Sequence, residues 1–423
     1  MGLFFYPRGG SAQVARYLSA ALEDAGVEIH LASGSLGGPG ERSHAPTFFG
    51  RHVLAGDYTL AARRFESGDD PMDANFPFQP SFEDRPGVPD RVFASVSPQL
   101  AEHQIAAWAD LLRDTDWIRS EILHLHHLTP MHGAVTRLTP ATPRISHLHG
   151  TELKFLDACR RGERDWPHAD HWFESLRSWA RDGAHVVCIS PHDRDLACDL
   201  LGLPESEVSV VPNGVDTRRF DRRAVAGADR LAAWRHWLVE DPRGWDESGE
   251  PGSICYDDVD LAPFGPPDDP ATVLLYVGRF LDFKRIPLLL RAYARARSRF
   301  TRPAPLVIWG GSPGEWEGTH PHRVVVGEGI PDVFFVGWRG HDELPHGLAS
   351  RGRADGAVDR RAVRPGAARG DGRRPPRRGD PQRRSALVRE HAPGRAERLA
   401  RRARRRRAAR RGPGQRRRGA PRA

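Results

Sequence analysis

Residues 272–299 read TVLLYVGRFLDFKRIPLLLRAYARARSR, and the pattern inside them decides the fold class. Val273 to Val277 form a short apolar run, β-branched at both ends, which predicts a strand buried on both faces. Gly278 breaks the run, and Arg279 and Lys284 follow on a short loop. Ile286, Leu289, Leu290 and Tyr293 then recur at helical spacing, with arginines on the opposite face. Strand, cationic loop and amphipathic helix are the repeating unit of a parallel α/β sheet, whose ligands bind beyond the carboxyl ends of the strands. Two cations placed there suit an anion such as a diphosphate. The plainer reading of an Arg and a Lys on a loop is solvated surface charge.

The totals bound the rest. A chain of 423 residues is long enough for two ordinary domains. No stretch approaches the ~20 apolar residues that span a bilayer, and MGLFFYPRGG lacks the basic lead and length of a secretory signal. Cys159, Cys188, Cys198 and Cys255 show no paired metal spacing, so reduced thiols and a cytoplasmic setting are expected. The net charge of +8 conceals two opposite parts. Residues 351–423 hold 27 Arg and 6 acids, a net of +21, which leaves −13 on the preceding 350 residues.

Along the chain, GLFFYP predicts a first strand, ended by Pro7, and Arg8-Gly9-Gly10-Ser11 leads into a helix closed by Gly26. Val14, Tyr17, Leu18, Ala21 and Leu22 form its expected apolar stripe. Gly9 and Gly10 at a helix amino terminus would let a phosphate or sugar reach free N–H groups, although a bare glycine turn explains them equally well. Val27 to Leu31 reads as a second strand. Residues 33–95 show no clear period but carry Phe48, Phe49, Tyr58, Phe65, Phe76, Phe78 and Phe82, as expected of a long functional loop insertion. Further helices are expected over 98–113, 130–138, 169–181 and from Pro191 to Leu201. Strands are expected at Ile122 to Leu125, Arg144 to Leu148, His185 to Ile189 and Val208 to Val211.

Residues 121–150, EILHLHHLTPMHGAVTRLTPATPRISHLHG, hold six histidines. Strand alternation puts His124 with His126 and His147 with His149, so a four-histidine site is geometrically conceivable. No acidic or cysteine partner stands at a familiar ligand spacing, so ordinary core or rim histidines are the expectation and no metal is assigned. Residues 221–270 read as a linker with a short helix around 228–238. A second domain opens near 271 and continues through strands Leu306 to Trp309 and Val333 to Val336.

YVGRFLDFKR resembles the V-G-R-x-x-x-x-K motif of retaining glycosyltransferases of the GT-B fold, the glycogen-synthase-like and mannosyltransferase-like group. HLHGTELKF resembles that family's H-G-T-(D/E) segment, and VVPNGVDTRRF its P-x-G-V-D-x-x-x-F segment. The resemblance runs from about residue 2 to residue 350. It implies two Rossmann-like domains facing across a cleft, 1–215 on the acceptor side and 271–350 as a partial donor domain, with 216–270 between them. It implies sugar transfer from a nucleotide-sugar donor to a sugar, lipid or small-molecule acceptor, with retained configuration and no metal. Carried over, Arg279 and Lys284 hold the diphosphate, and His149 reaches the transferred sugar, with Glu152 and Lys154 as weaker candidates. Gly9, Gly10, Gly278 and Asn213 line the donor side. No specific nucleic-acid partner is implied, and peripheral contact with the inner membrane face is compatible with it.

After residue 350 the resemblance stops. The expected E-x7-E segment is replaced by a tail without Phe, Tyr, Trp, Ile, Lys, Asn or Thr, in which Glu390 and Glu397 stand one residue too close. Such a composition cannot build a core and predicts disorder. Either the tail is a basic arm for anionic partners, or it is the shifted reading frame of a GC-rich gene, which the abrupt change favours. The shifted frame predicts impaired transfer. A non-catalytic sugar- or nucleotide-binding protein anchored by its tail is the alternative from another class, and an epimerase of the same fold is a third.

Overall fold

The computed structural model describes residues 1–4, 10–84, 89–221 and 225–352. The readings at Phe5 to Gly9 and over the tail from residue 353 lie outside the described residues. The chain divides into two compact units, Met1–Val215 and, within the described residues, Asp216 onward.

The first unit carries a seven-stranded sheet of β1 (Gly2–Leu3), β2 (Leu31–Ser35), β3 (Val53–Asp57), β4 (Leu123–His126), β5 (Arg144–Leu148), β6 (His185–Cys188) and β7 (Val208–Val210). All pairs are parallel, in the order β3-β2-β1-β4-β5-β6-β7. The order reverses direction at β1, the topological switch point where doubly wound sheets bind their ligands. One face is covered by helices Pro98–Leu112, Pro130–Leu138, Thr151–Arg161, Ala169–Arg181 and Pro191–Leu201 around a core that includes Trp108, Trp172, Phe93 and Leu148.

Three expectations change here. The second strand begins at Leu31, not Val27. Gly26, at φ +83, closes the preceding helix and the Val27 amide bonds back to Leu22, which leaves Val27 46% exposed. The true strand, LASGS, is buried at all five positions and after Leu31 is made of small residues, so no apolar run marks it. Helix Gly10–Asp24 buries Ser11, Ala12, Ala15 and Ser19 rather than the larger stripe, because small side chains let it pack close to the sheet. The 33–95 stretch is not an open insertion. It holds β3 and helix Thr59–Glu66, and Tyr58, Phe78, Phe82 and Phe93 are buried in the core.

The second unit has a parallel sheet of β8 (Leu274–Val277), β9 (Leu306–Trp309) and β10 (Val333–Gly337), in the order β10-β9-β8. β9 and β10 are buried at every position. β8 corrects the opening expectation: Leu274 is 37% and Val277 44% exposed. Among the described residues β8 pairs only with β9, so an apolar run written for an inner strand stands at an edge. The stretch read as a linker packs against this sheet. Trp234, Trp237 and Leu238 from helix Gly227–Arg235 and the turn after it, together with Phe264, meet Val307, Trp309 and Phe334. The four cysteines are free, and no helix among the described residues is long and apolar enough to cross a membrane.

Candidate functional site

Each unit contributes one group of sequence-marked residues, at the carboxyl ends of its parallel strands. In the first unit, β5 runs out into His149 and Gly150, and a helix starts at Thr151. Gly150 sits at φ +89, a conformation that favours glycine, and an added Cβ would stand 3.3 Å from Asp193. The turn is tied down by Glu152, whose side chain is fully buried. Glu152 Oε1 accepts the His149 amide at 2.7 Å, and Oε2 accepts the Thr151 hydroxyl at 3.1 Å. The same Oε2 lies 3.2 Å from Nδ1 of His127, the residue just after β4.

His127 itself holds φ +64, a strained backbone for a residue with a Cβ. Its ring is 4.7 Å from the ring of His149. Burial by itself would raise the Glu152 pKa, but the charge and hydrogen bond of His127, with the amides of Glu152 and His149, hold it below the usual range. A fully buried carboxylate thus stays ionised beneath the turn that presents His149. Glu152, ranked as a weak sugar contact from sequence, is a support of that turn; Lys154 is exposed on the following helix.

His124, His126, His147 and His149 stack along the same sheet face, neighbouring rings 4.7–5.4 Å apart and within 22° of parallel. His126 Nδ1 is 3.0 Å from His149 Nε2, and His124 Nε2 is 3.2 Å from His147 Nδ1. Burial, followed by repulsion between the rings, pushes His124 down to about 3. Burial takes His147 to about 4, and it holds His126 and His149 well below the ordinary imidazole value. His149 is therefore neutral at pH 7, a hydrogen-bonding group and not a cation. His132 plays a separate, structural part. Its Nδ1 accepts the Thr129 amide at the start of its helix, and its Nε2 donates to Ser146.

Gly10 opens helix Gly10–Asp24, exposed, with open space where a Cβ would be. Asn213 is exposed on the loop after β7. Gly214 beside it has neither a left-handed φ nor a close neighbour, so the PNG turn makes no demand for glycine.

In the second unit, Gly278 ends β8 and packs backbone to backbone against the turn after β9. Its amide donates to the Trp309 carbonyl, and its carbonyl accepts from Gly311. A Cβ at Gly310, where φ is +123, would come within 2.4 Å of the Gly278 oxygen. Arg279 follows, half-buried and 3.5 Å from Glu315 on the facing loop, and its carbonyl accepts from the Tyr276 hydroxyl. Lys284 lies on the turn Asp282–Lys284, its ammonium 5.0 Å from the centre of the Phe283 ring. The cationic loop is backed by aromatic residues that sequence reasoning did not assign. Trp245 stacks on Phe280 at 5.1 Å and donates to the Gly311 carbonyl at 3.0 Å. Trp316 and the fully buried His320 complete that cluster. A tryptophan inside the Pro-, Gly- and Asp-rich stretch was the available signal.

No curated protein matches the chain. Among solved structures, Anabaena Alr3699/HepE in complex with UDP and glucose shares 13% identity over 82% of this chain and 72% of its own, with a TM-score of 0.45. A glycosyltransferase from Rickettsia africae shares 12% over 82% and 69%, TM-score 0.43. The Neisseria meningitidis UDP-GlcNAc 2-epimerase bound to UDP-GlcNAc shares 12% over 82% and 73%, TM-score 0.39. Likenesses this faint carry no argument of their own. The model of Glycosyltransferase Family 4 matches residues 8–219, half of the sequence and the whole histidine-bearing turn, and the chain belongs to that family.

Proposed function

We propose that this chain is a retaining glycosyltransferase that moves a sugar from a nucleoside-diphosphate donor to an acceptor. The observation that carries the reading is the His149–Gly150–Thr151–Glu152 turn, inside the segment that matches the family and braced by a buried carboxylate. His149, neutral, would exchange a hydrogen bond with a hydroxyl of the transferred sugar and hold the reacting centre in place. Arg279 and Lys284 would offset the charge that grows on the departing diphosphate, an electrostatic contribution from cations set before reaction begins. Gly9 and Gly10 would offer backbone N–H groups to the donor, and Gly278 and Asn213 would line its side. No side chain is assigned as a nucleophile, and transfer is read without a catalytic metal.

We further propose that transfer by this chain is weak, because residues 351–423 contain no E-x7-E segment to handle the sugar and ribose. The test is to incubate the full chain with UDP-, GDP- and ADP-sugars and follow release of the nucleoside diphosphate. The anomeric configuration of the product is then read by NMR. Release from one donor, reduced by His149→Ala with the α- or β-configuration retained, supports the reading. An inverted product would overturn the retaining assignment, and release indifferent to His149 would overturn its role.

A further inference from the structure

The family reading uses one ring of the histidine stack, His149, and leaves the other three without a role. His124 and His126 alternate along β4 with Leu123 and Leu125, which enter the core, and the register sets His126 opposite His147 on β5. One ring nitrogen from each of His124, His126 and His147 lies within 4.8 Å of the others. His126 and His147 are 1% and 4% exposed, and each has an Nε2 with no hydrogen-bond partner. Two buried ring nitrogens without a hydrogen-bond partner are costly unless something binds them.

We propose that His124, His126 and His147 form a site for one divalent transition-metal ion of the zinc type. An all-imidazole donor set suits Zn²⁺, Cu²⁺ or Ni²⁺ and is a poor match for Mg²⁺ or Ca²⁺, which take oxygen ligands. The half-buried His124 provides the side from which an ion enters. Zn–N bonds of about 2.0 Å in a tetrahedron set the nitrogens about 3.3 Å apart. The stacked rings therefore turn about their Cβ–Cγ bonds to converge on the ion. The neutral form of these imidazoles leaves their lone pairs available for it.

The site would also act on the sugar-binding histidine, a consequence that rests on the reading of His149 given above. His126 already uses Nδ1 toward His149 Nε2, so the ion takes its Nε2. The proton of His126 then resides on Nδ1 and is donated to His149, which fixes the His149 proton on its own Nδ1. Metal-bound histidines commonly have their second nitrogen committed in this way.

The experiment is a Zn²⁺ titration of the chelator-stripped full chain against a competing chelator, with metal analysis of the product. One tightly held ion per chain is expected, with affinity lower by roughly a hundredfold or more in His126→Gln/His147→Gln and unchanged in His320→Gln/His322→Gln. Should the first double variant fail to fold, X-ray absorption on the zinc-loaded native chain decides: a shell of three imidazole nitrogens at about 2.0–2.1 Å is expected. A folded chain that retains no ion, a shell of oxygens, or undiminished binding in the first double variant would overturn the site. Those outcomes would leave the transfer reading intact, because donor binding through Arg279 and Lys284 is measured with nucleotide alone.

Discussion

The two units are written in the same strand–loop–helix grammar, yet only the first is built around inner strands throughout its middle. β1, β4, β5 and β6 each have parallel neighbours on both sides, and Leu123, Leu125 and Leu148 at their centre are essentially inaccessible. In the second unit β8 is apolar throughout, but among the described residues it stands at an edge, and Leu274 and Val277 are exposed. An apolar run reports the burial a strand was selected for, and its neighbours decide the burial it receives. The site loops follow the same division. Polar groups brace the first unit's turn, with Glu152 beneath His149. Aromatic packing braces the second unit's loop, with Trp245 against Phe280 and Trp316 against Trp245.

Acid separates the units most strongly. His124 and His132 are pushed down to about 3 and His147 to about 4, against His320 at about 4 in the second unit. Each folded value lies below that of the unfolded chain, so the unfolded state binds more protons between about pH 6.5 and 3, and stability falls as pH drops through that window. His132 alone accounts for on the order of 5 kcal/mol. Hydrogen exchange followed per segment should show the first unit opening before the second near pH 4.5; the reverse order would break the comparison.

Trp245→Ala removes a fully buried ring from the second unit and should cost it about 4 kcal/mol while leaving protection of the first unit unchanged. Denaturant unfolding with segment-resolved exchange checks this, and equal loss in both units would refute the division. Glu152→Gln breaks the buried contact with His127 and should cost the first unit about 3 kcal/mol, read by the same method. The smallest effect belongs to the exposed edge. Leu274→Lys should change stability by no more than about 0.5 kcal/mol and reduce self-association in sedimentation. A large loss would mean that Leu274 is covered after all.

Elements with large apolar residues at regular spacing were readable from the sequence. Arg144–Leu148, Leu306–Trp309 and the helices Pro130–Leu138, Ala169–Arg181 and Pro191–Leu201 stand where periodicity puts them. β2 was not, because Ala32, Ser33 and Gly34 are buried for their small size and carry no hydrophobic signal. The turn that carries His149 after β5 was legible from the glycine and glutamate that follow it. The support given by His127 was not, since it depends on a left-handed backbone and on a carboxylate 25 positions away. Trp245 escaped for the same reason: Phe280 and Gly311, its partners, are remote in sequence and come near only when the sheet is formed.

The reading rests most heavily on the proposal that Arg279 and Lys284 hold the diphosphate of a nucleotide donor. Calorimetric titration of the full chain with UDP, GDP and ADP, beside Arg279→Ala/Lys284→Ala, tests it directly. One nucleotide is expected to bind the native chain, and the double variant, equally folded by circular dichroism, to lose roughly a hundredfold or more in affinity. Equal binding by both proteins, or no binding by a folded native chain, would contradict it.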